Sequence, residues 1–254
     1  MELFLSLVIP AFNEEKRIVP TLRKVLDYLS SQSYASEVIV VNDGSTDATP
    51  RLVRELALAD DRLQLVEEAH RGKGHAVKVG MLQASGAYRF LCDADLAMPI
   101  QEVARFLPPS LEGTDVAIGS REAPGAARYG EPAYRHAMGR VFNLVVRVVV
   151  GLAGIRDSQA GFKCFTAQAA LHLFPQQRLD GFGFDVEILS VAQRSGLSMR
   201  EVPINWYYQQ ESKVRPVRDT LRMLGDAVRV RWGFATRRYR LDPGSHPDQS
   251  QRSA

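Results

Sequence analysis

The stretch Tyr88-Arg89-Phe90-Leu91-Cys92-Asp93-Ala94-Asp95 decides how this chain is read. Its first five residues form the short, mostly apolar run of a buried strand, and two carboxylates follow at once, one residue apart. Carboxylates at the end of a buried strand are costly unless something cationic neutralises them. In open α/β sheets the carboxyl ends of the strands are where ligands bind. A divalent ion bridging a pyrophosphate would account for the pair. Were the strand to continue, both carboxylates would point to one face, so that one suits the metal and the other a ribose. A lone Asp-x-Asp is a weak signal; its place at a strand end is what gives it weight.

Working outward, the first half alternates strand and helix. Leu5–Ile9, Val38–Val41, Leu63–Val66 and Val116–Gly119 are further apolar runs of four or five residues. Between them Val19–Ser30, with Leu22, Val25, Leu26 and Leu29 on one face, and His75–Ser85 have helical spacing. Short apolar strands separated by helices predict an α/β, mostly parallel sheet covered on both faces. The strand ends are polar. Pro10-Ala11-Phe12-Asn13-Glu14 follows the first strand. Asp43 follows the second and suits a ribose hydroxyl or a base edge, although Asn42-Asp43-Gly44-Ser45 also reads as simple turn chemistry. Thr46 or Asp47 can cap the next helix. In His70-Arg71-Gly72-Lys73-Gly74-His75 two glycines permit a close backbone approach, and Arg71 and Lys73 suit phosphate or base oxygens. The spacing fits neither a Walker loop nor the dinucleotide fingerprint.

The second half is less regular. Arg135–Val150 reads as a long helix, Gly161–Phe165 as a short strand, and Ala167–Leu173 and Val186–Arg194 as helices. Met199–Tyr208 reads as one strand interrupted by Pro203, and Arg218–Trp232 as a final helix. One domain over residues 1–240, followed by a Pro/Gly/Ser/Gln tail over 241–254, is expected. The formal net charge of +3 is uneven: residues 1–120 carry 12 Lys/Arg against 17 Asp/Glu, and residues 121–254 carry 20 against 12. A basic second half points to an anionic partner or to a solvated basic face. Residues 215–240 hold eight arginines and no lysine, with Val217, Leu221, Leu224 and Val228 on one helical face and Trp232 a turn later. That pattern predicts a helix lying on an anionic membrane surface, or one whose apolar face packs on the sheet. Met138–Ile155 is apolar but interrupted by Arg140, Asn143 and Arg147, so it reads as a buried or interfacial helix rather than a membrane span. Cys92 and Cys164 lie in apolar stretches without metal spacing. With no leader pattern at Met1, a reduced, cytosolic chain is expected, peripheral on the cytoplasmic face of a membrane.

Taken together, Val8–Glu14, Val41–Asp47, Arg71–Gly74 and Asp93–Asp95 resemble the inverting glycosyltransferases of family 2, with the Rossmann-like GT-A fold. Gly119-Ser120-Arg121, Ile155–Lys163, Phe184–Glu187 and Glu211-Ser212-Lys213 look like the polyprenyl-phosphate members of that family. Within it, the dolichyl-phosphate β-glucosyltransferases are most similar and the mannose synthases next. The resemblance implies a nucleotide-sugar half over 1–120 and an acceptor half over 121–240. It implies that Pro10, Phe12, Glu14 and Asp43 hold the nucleoside, with Arg71 and Lys73 near base or phosphates. Asp93 and Ala94 would meet ribose or sugar, Asp95 the Mg²⁺ or Mn²⁺, and Lys213 the diphosphate. Arg121, Arg135 and Gln159 would face the acceptor. Mannose synthases often place Gln two residues after the Asp-x-Asp; here that residue is Ala97, which speaks against mannose.

The reaction expected is hexose transfer from a nucleotide diphosphate sugar, UDP-glucose before GDP-mannose, to a polyprenyl or dolichyl phosphate. A phosphate acceptor is already anionic near neutral pH, with a second pKa of about 6, so arginines matter more than a base. Asp157 is the carboxylate to test as a base; orienting Arg156, Lys163 or another cation is its alternative role. Asp185 and Glu187 either belong to the site or complement a helix dipole. A saccharide acceptor would need a true base. A nucleotidyltransferase would show glycines after the first strand, which Pro10–Glu14 lacks. RNA binding would leave Asp93 and Asp95 unexplained, so no nucleic-acid partner is expected.

Overall fold

The computed structural model describes residues 3–209 and 216–241. In chain order the elements are β1 (Leu5–Ala11), α1 (Ile18–Ser30), β2 (Ser36–Asp43), α2 (Thr49–Ala57), β3 (Leu63–Glu68), α3 (Lys73–Gln83) and β4 (Tyr88–Leu91). A 3₁₀ helix over Ile100–Phe106 leads to β5 (Val116–Ser120), β6 (Ala127–Tyr129), α4 (Ala133–Val150), β7 (Lys163–Thr166) and α5 (Ala167–Leu173). The chain continues through α6 (Phe184–Arg194), β8 (Met199–Pro203), β9 (Asn205–Tyr207) and α7 (Pro216–Ala235).

Seven strands form one sheet in the order β3-β2-β1-β4-β7-β5-β8, and β6 pairs with β9 in a separate two-stranded ribbon. All pairings in the main sheet are parallel except those of β7, which runs antiparallel to both β4 and β5. The central strands are largely apolar because both faces are covered, whereas the edge strands β3 and β8 carry Gln64, Glu67, Arg200 and Glu201. Val8, Ile39, Val41 and Leu91 pack on one face with α3, α5 and α6. Leu7, Ile9, Val38, Val40 and Phe90 pack on the other with α1 and the 3₁₀ helix.

The expected strands of the first half are present. Asn42 and Asp43, read as turn residues, are instead the last residues of β2; the turn begins at Gly44, whose φ is +68°. Of Thr46 and Asp47, it is Asp47 that caps α2 by its side chain, accepting from the Thr49 amide, the first of the helix, across Ala48. The expected single strand Met199–Tyr208 divides at Pro203 and Ile204. Its first part completes the main sheet beside β5, and its second leaves to pair with β6.

α4 and α7 pack against each other, with Arg231 donating to the Val149 carbonyl. The expected common face of Leu224 and Val228 divides: Leu224 packs against the core with Ala227 and Val230, as the reading of a packed face has it. Val228 and Trp232 remain exposed beside Leu144, Val145 and Val148 of α4. No helix among the described residues is long and apolar enough to cross a membrane.

Candidate active site

Beyond β1 the chain turns away to β2, whereas β4 lies on β1's other side, so β1 and β4 flank the switch point of the sheet. Crevices outside the carboxyl ends of such strands hold ligands. A cleft of about 870 Å³ opens there. It is lined by Pro10, Phe12 and Glu14 after β1, Asp43 at the end of β2, and Arg71 and Lys73 at the start of α3. Asp93, Ala94 and Asp95 after β4, and Arg121 and Gln159 on the far side, complete the predicted residues found there. Arg135 falls in α4 by its backbone; its side chain lies outside the described residues, as does all of Lys213.

The strand does not continue through the two carboxylates. β4 ends at Leu91, and Leu96 takes a left-handed φ of +44°, turning the chain sharply after Asp95. Asp93 therefore reaches sideways to Lys73 Nζ at 2.6 Å. Asp95 accepts from the Ala97 amide at 3.0 Å. Burial, and then the charge of Asp93, push the Asp95 carboxyl above its ordinary value. Burial would lower the Lys73 ammonium, but the charges of Asp93 and Asp185 outweigh it and hold it raised. Behind Lys73, Asp185 pairs with the fully buried Lys163 at 2.6 Å. The charges thus run as a line of carboxylates and ammoniums from the cleft into the core. Gly161 makes room for it: a Cβ there would stand 1.8 Å from Asp93 Oδ2.

Among the described residues no three His, Cys, Asp or Glu side chains gather to hold a metal. Asp95 and Asp93 nonetheless form a carboxylate pair short of positive charge. Such a pair suits a hard cation whose remaining oxygen ligands come from substrate phosphates and water. The residues fit that cation.

Asp43 organises the nucleoside side. Its carboxylate accepts from the Arg71 amide at 2.9 Å and the Gly72 amide at 3.0 Å, and meets His70 Nδ1 at 2.8 Å. His70 in turn stacks on Phe12, centroid to centroid at 4.2 Å. The glycines of Arg71–Gly74 admit the chain's own backbone. A Cβ at Gly72 would lie 2.6 Å from the Asp180 carbonyl and one at Gly74 2.5 Å from that of Leu179, while Arg71 pairs with Asp180 at 2.8 Å.

On the acceptor side Asp157 is wholly buried and grips Arg121 with both oxygens, Nε at 2.7 Å and Nη2 at 2.9 Å. Burial would raise its carboxyl, but the Arg121 charge and hydrogen bonds bring it to about 2. This corrects the expectation of a base: a carboxylate that is this acidic, sealed from the cleft and bonded at both oxygens does not take a proton at neutral pH. Its partner is Arg121, rather than Arg156 or Lys163. Asp185 and Glu187 stand in the first turn of α6, where they complement its dipole, and each also has partners of its own. Asp185 belongs to the Lys163 pair, and Glu187 accepts from the Arg178 and Leu179 amides and the Tyr239 hydroxyl.

Several lining residues carried no sequence signal of their own. Arg17 pairs with Glu14 at 2.7 Å, and Arg222 and Asp226 of α7 close one wall. Trp206 lies under both Arg121 and Arg128. The break at Pro203 was the available hint for Trp206, since it frees β9 to carry that side chain to the cleft.

This sheet, with a two-carboxylate turn at its switch point and a basic far wall, defines a glycosyltransferase with the GT-A fold. The chain belongs to glycosyl transferase family 2, whose pattern matches residues 6–163. It is 33% identical over 241 residues to the dolichyl-phosphate beta-glucosyltransferase of Trichomonas vaginalis, covering 90% of this chain and 71% of that one. It is also 33% identical over 260 residues to that of Saccharomyces cerevisiae, covering 94% and 77%. Among solved structures, glucosyl-3-phosphoglycerate synthase from Mycobacterium tuberculosis with Mn²⁺, UDP-glucose and phosphoglyceric acid superimposes with a TM-score of 0.66 at 19% identity, covering 95% of this chain and 81% of that one. Mannosyl-3-phosphoglycerate synthase from Rubrobacter xylanophilus gives 0.68 at 19% identity, covering 94% and 76%. At that identity the likeness is one of fold.

Proposed function

We propose that this enzyme transfers glucose from UDP-glucose to a dolichyl or polyprenyl phosphate, with inversion at the anomeric carbon. The observation that carries the reading is the Arg121–Asp157 pair. The carboxylate beside the acceptor side is spent on fixing an arginine, which suits an acceptor that is already an anion and needs no deprotonation. The names of the relatives support both glucose and the lipid phosphate.

In this mechanism Asp43 and the loop it organises seat the nucleoside, with Phe12 and His70 at the base. Lys73 meets the diphosphate from the far side of Asp93. Asp95, beside Asp93, would hold a divalent cation, which when bound would neutralise charge on the departing diphosphate. Arg121 aims the acceptor phosphate, whose oxygen attacks the anomeric carbon opposite the diphosphate. The new carbon–oxygen bond forms as the old one breaks, and UDP leaves with the electron pair. The exposed apolar residues of α4 and α7, with Arg140, Arg229 and Arg231 around them, would rest the enzyme on the cytoplasmic face of an anionic membrane.

The test is transfer of label from UDP-glucose, and separately GDP-mannose, to a short polyprenyl phosphate, with Mn²⁺ or Mg²⁺ and with EDTA. Metal-dependent labelled lipid from UDP-glucose is expected. Labelling from GDP-mannose instead would move the donor assignment. No lipid product with either donor would sink the acceptor assignment. Co-sedimentation with phosphatidylserine vesicles, lost at high salt, tests the membrane contact.

A further inference from the structure

Trp206 lines the cleft. Strand β9 brings it there. Side chains alternate along a strand, so Tyr207 points the other way and stacks on Tyr129 at 4.6 Å on the outside. Trp206 faces inward, opposite Arg128 in the β6–β9 ribbon. The Arg121 guanidinium lies over the indole at 5.3 Å and that of Arg128 at 5.8 Å.

Arg121 is therefore held from two sides, by the buried Asp157 and by the indole face. Two of its five N–H groups are on Asp157. The rest of the fork is at the cleft beside an apolar wall made by Trp206, Ile204, Phe162 and Ala97. Ribbon and donor site are also tied together. The Tyr207 amide donates to the Ala97 carbonyl at 2.7 Å, and the Ala97 amide to Asp95 Oδ1 at 3.0 Å. Trp206 thus stands in fixed register with the metal-site carboxylate.

We infer that Trp206 determines acceptor specificity: it receives the first isoprene unit of the acceptor while Arg121 holds the phosphate. The inference rests on the lipid-phosphate reading and deepens it. An acceptor with hydrocarbon directly on its phosphate covers the indole and loses nothing. A hydrophilic monoester would press hydroxyls or a carboxylate against the indole face, Ile204 and Phe162, which offer them no hydrogen bond, and that costs binding.

The chain has two tryptophans, Trp206 and Trp232. Titration of the wild-type enzyme with citronellyl phosphate is expected to give a saturable blue shift of tryptophan emission that inorganic phosphate does not give. The Trp206→Phe variant, with Trp232 as its remaining indole, should lose that response. In steady-state transfer from UDP-glucose, Trp206→Ala should raise the KM for citronellyl phosphate about 10-fold or more. Trp206→Phe should restore most of it, and the KM for UDP-glucose should stay within about 2-fold in both. An unchanged acceptor KM in Trp206→Ala, or a blue shift that survives in Trp206→Phe, overturns the inference. A rise in the donor KM instead assigns the indole to the transferred sugar and overturns it equally. Wild-type enzyme that glucosylates 3-phosphoglycerate but not citronellyl phosphate overturns the lipid-phosphate reading itself, a result distinct from either variant outcome.

Discussion

On the donor side of the cleft the polar side chains follow closely on the ends of parallel strands, and their partners are mostly neighbouring loops. On the acceptor side Arg121 and Lys163 depend on carboxylates 36 and 22 residues away, both buried. The first arrangement leaves Asp93 and Asp95 partly exposed at the cleft, although its contacts also cross the chain, 28 residues from Asp43 to Arg71 and 109 from Arg71 to Asp180. The second consists of ion pairs sealed inside the packed protein, with Asp157 and Lys163 fully buried. A substitution on the donor side should therefore remove chemistry and spare the fold, whereas one on the acceptor side should disturb both.

The sharpest test of that contrast is Asp95→Ala. It is expected to lower kcat about 10³-fold with an unchanged urea midpoint. A variant that also melts early would break the comparison. Next is Gly161→Ala, where the two sides touch. Its Cβ would displace the Asp93 carboxylate, and a displacement of that size is expected to lower kcat about 10²-fold. Near-normal turnover would show that Asp93 has room to move.

Asp157→Asn should behave in the opposite way to Asp95→Ala, losing about 3 kcal/mol of stability by urea unfolding because Arg121 is left without its counter-charge. The pH dependence has a definite sign. The folded-state pKa of Asp157, about 2, lies below the unfolded value of 3.8. Wild type's advantage is therefore full above pH 4 and fades as the pH falls towards 2. A constant difference across that window would mean the pair is not what the charge stabilises. The smallest effect expected is that of Tyr239→Phe, which removes one of the hydrogen bonds on Glu187 and should cost about 1 kcal/mol with kcat intact.

The same contrast explains what could be read in the sequence. Val38–Val41 and Tyr88–Cys92 were legible because a strand covered on both faces is apolar at nearly every position, with Arg89 the exception. Asp43 and Asp95 were legible because each follows closely on such a run, and Lys73 because it lies between Gly72 and Gly74. Their partners were not. Nothing near Asp157 in the chain says that Arg121 will occupy it, and nothing near Glu187 says that the 178–179 backbone will donate to it. The direction of β7 was hidden as well, since Lys163–Thr166 has the same pattern whichever way it runs. β6 and β9, of three residues each, are too short for any periodicity to show.

The antiparallel β7 also has a consequence for biosynthesis. It sits between β4 and β5, yet it follows both in the chain. A growing polypeptide can pair β1 through β4 early, but the outer edge of β4 has no neighbour until residues 163–166 leave the ribosome, and an apolar strand with an open edge invites intermolecular pairing. Stalled nascent chains ending at residue 160, with the tunnel length added, should aggregate more on release than those ending at residue 175, which in turn should aggregate more than those ending at residue 210, where β8 covers the edge of β5. The strand that joins β4 to β5 thereby sets the first moment at which the open edge inside the sheet is removed.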